Sequence, residues 1–326
     1  MIRPREIGTA LAVAVLLAVP SWPRAEDVVR LSQTISTDAQ VADEKGFFKA
    51  HGIRIQWTGK QAHGPAVLVT VAAGENDFAG TVTSAVFLAR ARGSKLKVVS
   101  AQTVSSRKVP LFRYLVKDNG PLRGDAKDFI GRKVVAQPAT ITWYPLAVFL
   151  KRGGVDPSEV EFVNLGSPLA SEQALKEGKV DAISTSEFAP PGSKLTAEGG
   201  YHYLAGIDDF DVLGVKQIGG WATREDFIRD HPDVVRRFVA ALSEAAVWGN
   251  AHPVEAQEIL DRLNEVPRDQ WKYYRWRPVE GDLKVDPKSI EGWARILEDF
   301  GQIPVGSVHP EDVYTNAFAD AVSKGQ

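Results

Sequence analysis

The chain of 326 residues contains no cysteine. That excludes disulfides, thiolate metal sites, a cysteine nucleophile and a lipid-anchored N-terminal cysteine. Its six histidines are scattered, at His51, His63, His202, His231, His252 and His309, and none forms H-x-x-x-H or H-E-x-x-H. G-x-S-x-G, a P-loop and G-x-G-x-x-G are also missing. Ser105 and Lys108 make S-x-x-K, which a basic turn explains. Charge of one sign is lacking too: the formal net charge is −2. Nucleic acid would call for a basic face, so no nucleic-acid partner is expected. The only long apolar run, Ile7 to Val19, is too short to span a bilayer.

That run follows Arg3 and Arg5 and ends at Pro20, which is the order of a secretory signal peptide. Residues 1–25 are therefore expected to be removed, with cleavage after Ser21 or Ala25. This takes away Arg3, Arg5, Arg24 and Glu6 and leaves a net charge of −4. The remaining length suits two ordinary domains. Without a lipid anchor, an exported chain of this kind should be free in the periplasm.

The stretch Lys133 to Gly153, KVVAQPATITWYPLAVFLKRG, reads as strand, polar turn, helix and C-cap. The first N–H groups of such a helix have no internal partner and face whatever lies above the strand end. Thr140 and Thr142 add hydroxyls there, and Trp143 and Tyr144 a flat apolar surface, half of a ligand cleft. Upstream, strands are expected at Asp27–Ser32, Ile53–Trp57, Asp77–Ala79 and Lys97–Ala101, alternating with helices at 39–50, 66–73 and 85–92. That alternation predicts a mostly parallel α/β sheet. Phe112 to Val116 leaves this lobe and Val215 to Trp221 returns to it. Helices follow at 233–248, with Asp230 as a possible N-cap, and at 254–263, 289–300 and 313–322.

The halves echo each other. Gly74, Asp77 and Thr81 form G-x-x-D-x-x-x-T, and Gly178, Asp181 and Thr185 repeat it at the same spacing. Each copy follows an apolar helix and precedes a loop. Ligands of parallel α/β sheets bind beyond the carboxyl ends of the strands. Four polar loops, at 33–36, 81–84, 138–142 and 185–187, should then surround one cleft.

In order, KGFFKAHGIRI, AGENDFAGTVTSA, DFIGRKVVAQPATITWYPLAVFLKRGG, ALKEGKVDAISTSEF and WATREDFIRDHPDVVRRFVAAL resemble a periplasmic solute-binding protein of an ATP-binding-cassette importer. The group is that of aliphatic-sulfonate, taurine, nitrate and thiamine-precursor binders. The resemblance implies a type II periplasmic binding protein, α/β, with two similar lobes joined by two crossover segments. Lobe 1 would comprise 26–115 plus 218–326, and lobe 2 116–217. It implies a monomer that is not an enzyme and needs no cofactor or metal. Its partners would be a small solute and an inner-membrane ABC permease. The ligand-binding positions carried over are Gln33, Thr34, Ser36, Gln61, Thr81, Thr83, Ser84, Thr140, Thr142, Trp143, Ser186 and Glu187. Lys60 and His63 could balance an anion's charge, and Trp221 could be packing or a ligand contact.

The chain departs from sulfonate binders in two places. Pro138-Ala139-Thr140-Ile141-Thr142 stands where they have glycine and serines, and Ser186-Glu187-Phe188 where an aromatic-aspartate-proline run is common. A small organic anion is the leading ligand. An exposed Glu187 would favour a cationic or N–H-bearing solute, such as an aminosulfonate or a thiamine-precursor pyrimidine. A ligand sensor without transport and a periplasmic hydrolase or lyase are the readings from other classes. A related eukaryotic group performs single-turnover thiamine-precursor chemistry with a cysteine-rich motif, which this chain lacks.

Overall fold

A computed structural model describes residues 26–33, 38–60 and 64–324. The first lobe opens with β1 (Asp27–Gln33), α1 (Asp38–Glu44), α2 (Phe47–Ala50), β2 (Ile53–Lys60), α3 (Gly64–Ala72), β3 (Ala79–Val82), α4 (Thr83–Ala91) and β4 (Leu96–Val104). The second lobe holds β5 (Arg113–Lys117), β6 (Lys133–Val135), α5 (Tyr144–Arg152), β7 (Glu161–Val163), α6 (Pro168–Lys176), β8 (Ala182–Thr185), α7 (Gly192–Glu198) and β9 (Tyr201–Asp208). The chain returns through α8 (Asp209–Leu213) and β10 (Gln217–Arg224). It finishes in α9 (Glu225–Asp230), α10 (Pro232–Ala251), α11 (Pro253–Leu263), α12 (Pro287–Asp299), α13 (Pro310–Val313) and α14 (Ala317–Ser323).

Both lobes share one wiring. In the second, the strand order is β7-β6-β8-β5-β9, with β5 antiparallel to both neighbours. In the first, β1 pairs with β2 in parallel, and a parallel bridge from Leu31 to Phe78 sets β3 beside β1. β10 lies antiparallel between β3 and β4, so the order runs β2-β1-β3-β10-β4. The strand that enters each lobe from the other is thus threaded between that lobe's third and last strands. The sheets are mixed rather than simply parallel, because the entering strand runs against the others. β5 joins the second sheet from Arg113 onward, so residues 113–115 pair there and not in the first lobe.

The repeated motif has a matching structural basis in each lobe. The Asp77 carboxylate accepts from the Arg30 backbone N–H at 2.7 Å, while the Asp77 N–H donates to Arg30 O at 2.9 Å. In the second lobe, Asp181 accepts from Lys133 N–H at 2.9 Å and donates to Lys133 O at 2.8 Å. Each aspartate locks the third strand to the first. Gly74 and Gly178 end the preceding helices at φ +77° and +70°, where a Cβ is disfavoured.

The first lobe's core is built on α10, whose buried Val235, Phe238, Val239, Leu242, Ala245 and Ala246 recur at helical spacing. Phe238 stacks on Phe78 at 4.0 Å and on Phe48 at 5.3 Å between ring centroids. A second core belongs to both lobes: Ile141 and Tyr144 pack with Phe87, Val98 and Trp293.

Three helical expectations change. The helix over 39–50 divides at Gly46, φ +76°, into α1 and α2. The N-cap of α10 is His231, with Pro232 at the first helical position; Asp230 ends α9 and pairs with Arg229 at 2.7 Å. The helix over 313–322 is split because Tyr314 forms a bridge with Val98 and the Asn316 side chain bonds both backbone groups of Val285.

Candidate functional site

A cleft of about 670 Å³ lies between the lobes. One wall is Leu68, Val69 and Ala72 of α3 with Val82, Ser84, Ala85, Leu88 and Ala89 around α4. The opposite wall is the segment Gln137–Thr142, and Phe112 of the first crossover joins the two. The structure therefore brings Ser84, Thr140 and Thr142 to one cavity. Thr34, Ser36 and Gln61 lie outside the described residues, as does His63, and of Gln33 only the backbone at the end of β1 is described. Lys60 is exposed and pairs with Glu265 at 3.5 Å.

On the first-lobe side, α4 begins directly after β3, and its N-cap, Val82, supplies no side-chain bond to the first turn. Thr81 and Thr83 are buried and do not line the cleft, and neither hydroxyl has a hydrogen-bond partner. Ser84 is 2% exposed and lines the cleft. A helix N-terminus flanked by unspent hydroxyls is the arrangement that receives an anion. β10 lies this close to β3 because Gly219 faces it: a Cβ there would stand 2.6 Å from Thr81 O.

Beside this spot is a polar group that the sequence reading passed over as loop. Asp38, in the first turn of α1, accepts from Gln102 Nε2 at 2.8 Å and from Trp221 Nε1 at 3.2 Å. Burial pushes its carboxyl up to about 6, against those donated hydrogen bonds. Trp221 is 2% exposed and packs against Phe238, so it is a packing residue with its N–H spent on Asp38.

The second-lobe wall is a knotted turn. The Thr140 hydroxyl donates to Gln137 O at 2.7 Å, and the Thr140 and Thr142 hydroxyl oxygens lie 2.9 Å apart. Thr142 Oγ1 accepts from Gln137 N–H at 3.1 Å, and because the Thr140 proton is on Gln137 O, the Thr142 hydroxyl donates to Thr140. Both hydroxyl protons are consumed inside the turn, and neither threonine caps α5, whose N-cap is Trp143. Trp143 is not a wall of this cavity. Its ring meets Phe300 at 5.0 Å, Tyr144 at 5.3 Å and Phe162 at 6.0 Å, because α5 packs against the end of α12.

Ser186 and Glu187 do not line the cavity of Ser84 and Thr140. Ser186 Oγ accepts from Phe188 N–H at 3.2 Å, closing a local turn. Arg275 holds this loop from the C-terminal arm: its Nη2 donates to Glu187 O at 2.9 Å and its N–H to Phe188 O at 2.9 Å. Nearby, Arg277 donates to Val104 O and Val109 O in the first crossover, at 2.6 and 3.0 Å. Burial lowers its guanidinium to about 10, with Asp209 and Glu187 opposing. Phe188 faces a separate groove with Trp271, Tyr274 and Trp276. These arm contacts join residues as far as 173 apart in sequence, and no local signal marked them.

Several known proteins share this architecture. A family model described as NMT1/THI5 like matches residues 33–256. The taurine-binding periplasmic protein of Escherichia coli K12 is 25% identical over 318 residues, spanning 91% of this chain and 93% of that protein. The crystal structure of the periplasmic aliphatic sulphonate binding protein SsuA from Escherichia coli superposes with a TM-score of 0.73 at 18% identity, covering 89% of this chain and 93% of that one. The desulfurization enzyme DSZB has the same fold, with a TM-score of 0.61 at 16% identity over 92% of this chain and 99% of its own. The fold is that of a two-lobed type II periplasmic binding protein, and the chain belongs to the NMT1/THI5-like family.

Proposed function

We propose that this protein is the periplasmic substrate-binding component of an ATP-binding-cassette importer, a monomer that captures a small organic anion between its lobes. The anion class is an aliphatic sulfonate or an aminosulfonate such as taurine. The observation that carries this reading is the first turn of α4, which has no side-chain cap and sets Ser84 on the inter-lobe cleft, with two buried unspent hydroxyls, Thr81 and Thr83, on the residues around it. The names of the sulfonate- and taurine-binding relatives support the same ligand class. Lobe closure would bury the solute and present a surface to an inner-membrane permease. No helix among the described residues is long and apolar enough to cross a membrane.

Thermal unfolding with ethanesulfonate, taurine, nitrate and an aminopyrimidine tests the ligand. A solute at a hundred times its dissociation constant adds about 2.7 kcal/mol to stability. A sulfonate is expected to raise Tm and to be recovered unaltered, whereas turnover would make the protein an enzyme on this fold. A shift with the pyrimidine alone would replace the anion reading.

A further inference from the structure

We infer that Arg275 is an inter-lobe latch, which holds the two lobes together before any solute arrives. This rests on the lobe closure in the reading above and is independent of the ligand class. Arg275 lies in the arm between α11 and α12, and the arm is fixed to the first lobe. Trp276 is buried in the core built on α10, so close to that helix that a Cβ at Gly249 would stand 2.5 Å from its ring. Its Nε1 donates to Asn250 Oδ1 at 3.1 Å, and the Val279 N–H donates to the same oxygen at 3.1 Å. Further on, Leu283 O accepts from the Ala101 N–H of β4 at 2.7 Å. The partners of Arg275 itself belong to the second lobe. Its N–H and Nη2 reach Phe188 O and Glu187 O, both at 2.9 Å, in the loop that leaves β8.

The lobes also meet where α5 packs on α12, and that contact is of another kind. Tyr144 and Trp293 are both fully buried there, with ring centroids 5.7 Å apart. Parting them would expose two large aromatic surfaces to water, so this contact stays shut and serves as the pivot. Arg275 is exposed, and water can take over both of its bonds when the loop moves away. A contact that spans the lobes, is polar and is already wet can open and close reversibly. Arg277, two residues on, bonds Val104 O and Val109 O of the first crossover, so the arm grips the hinge segment and the loop beyond it from one side. A latch of this kind raises the fraction of empty protein already in the binding-competent form, and so tightens the apparent Kd.

Small-angle scattering of the solute-free protein tests this. Arg275→Ala loses a charge-assisted bond, which should shift the open-to-closed ratio about tenfold and enlarge the radius of gyration. Arg268→Ala removes an arm guanidinium that lies over Trp271 within the arm, and should leave the radius unchanged. Hydrogen exchange on the unaltered protein supplies a measurement that needs no variant: the Arg275 amide should be protected at least about tenfold over an open chain. Equal scattering from the wild type and Arg275→Ala, an equal expansion in Arg268→Ala, or an Arg275 amide that exchanges as in an open chain overturns the latch. None of these measurements involves a solute, so they leave the ligand reading standing, and failure of every sulfonate to bind would leave the latch standing.

Discussion

The two lobes have one wiring and opposite states of readiness. In each, an aspartate three residues after a left-handed glycine ties the third strand to the first. At the ends of those strands they diverge. The first lobe leaves Thr81 and Thr83 without partners at an uncapped helix start, while the second has bound the hydroxyls of Thr140 and Thr142 into a closed turn. Duplicate topology therefore does not imply duplicate binding roles. On the proposed reading, the half with unspent donors would supply attraction and the half with spent donors a rigid wall. A ligand gains nothing from a proton already engaged unless it breaks the internal bond, which costs about 1 kcal/mol.

The comparison can be broken first at the entering strands. β10 passes between its neighbours on Gly219 and Gly220, and a Cβ at Gly220 would lie 2.4 Å from Ser100 O. The equivalent strand β5 carries Tyr114 and Leu115, both fully buried. Gly220→Val should cost ~3 kcal/mol or more in urea unfolding, since the obstructing atom is backbone. Tyr114→Phe should cost about 1 kcal/mol, because it loses only the bonds to Thr142 O and Leu146 N–H.

The second test uses Asp38, a buried carboxyl in the half that holds the unspent donors. Its folded pKa, about 6, lies above the ordinary carboxyl value of 3.8. Its protonated form is favoured in the folded state, so stability is fully present below about pH 4. Roughly 3 kcal/mol is lost as pH rises toward 6, and the loss levels off above that. Denaturation measured from pH 4 to 7 should show this fall, and Asp38→Asn should abolish it.

The third test asks whether the paired aspartates are equivalent. Asp77 is buried and receives the Arg30 side chain at 2.6 Å, whereas Asp181 is half-buried with Arg132 at 3.9 Å. Asp77→Ala should cost about 2–3 kcal/mol and Asp181→Ala about 1, read from urea midpoints. The smallest effect expected is that of Thr142→Val, about 1 kcal/mol through the lost Gln137 N–H bond, with little change in ligand affinity measured by titration.

Much of the architecture was written locally. The alternation of strands and helices, the twin motif and the amphipathic run of α10 all follow from spacing a few residues long. Features that depend on distant partners were not legible. Nothing near Tyr314 announces that a helix must divide, since the division there is imposed by Val98 and Val285. At the site, the sequence singled out Ser84, Thr140 and Thr142, because strand-end polar residues are a positional signal. It missed Asp38, whose donors Gln102 and Trp221 lie 64 and 183 residues away. Trp143 was ambiguous for the same reason: only the position of Phe300 decides which surface its ring meets.

The threading of the entering strands also sets an order of assembly. Every strand of the second sheet lies between residues 113 and 208, an unbroken length of chain. The first sheet lacks its fourth member until residues 217–224 have arrived. As the chain emerges from a ribosome or an export channel, the later-made half is the first able to complete itself, and the earlier-made half must wait for an interior strand to come back.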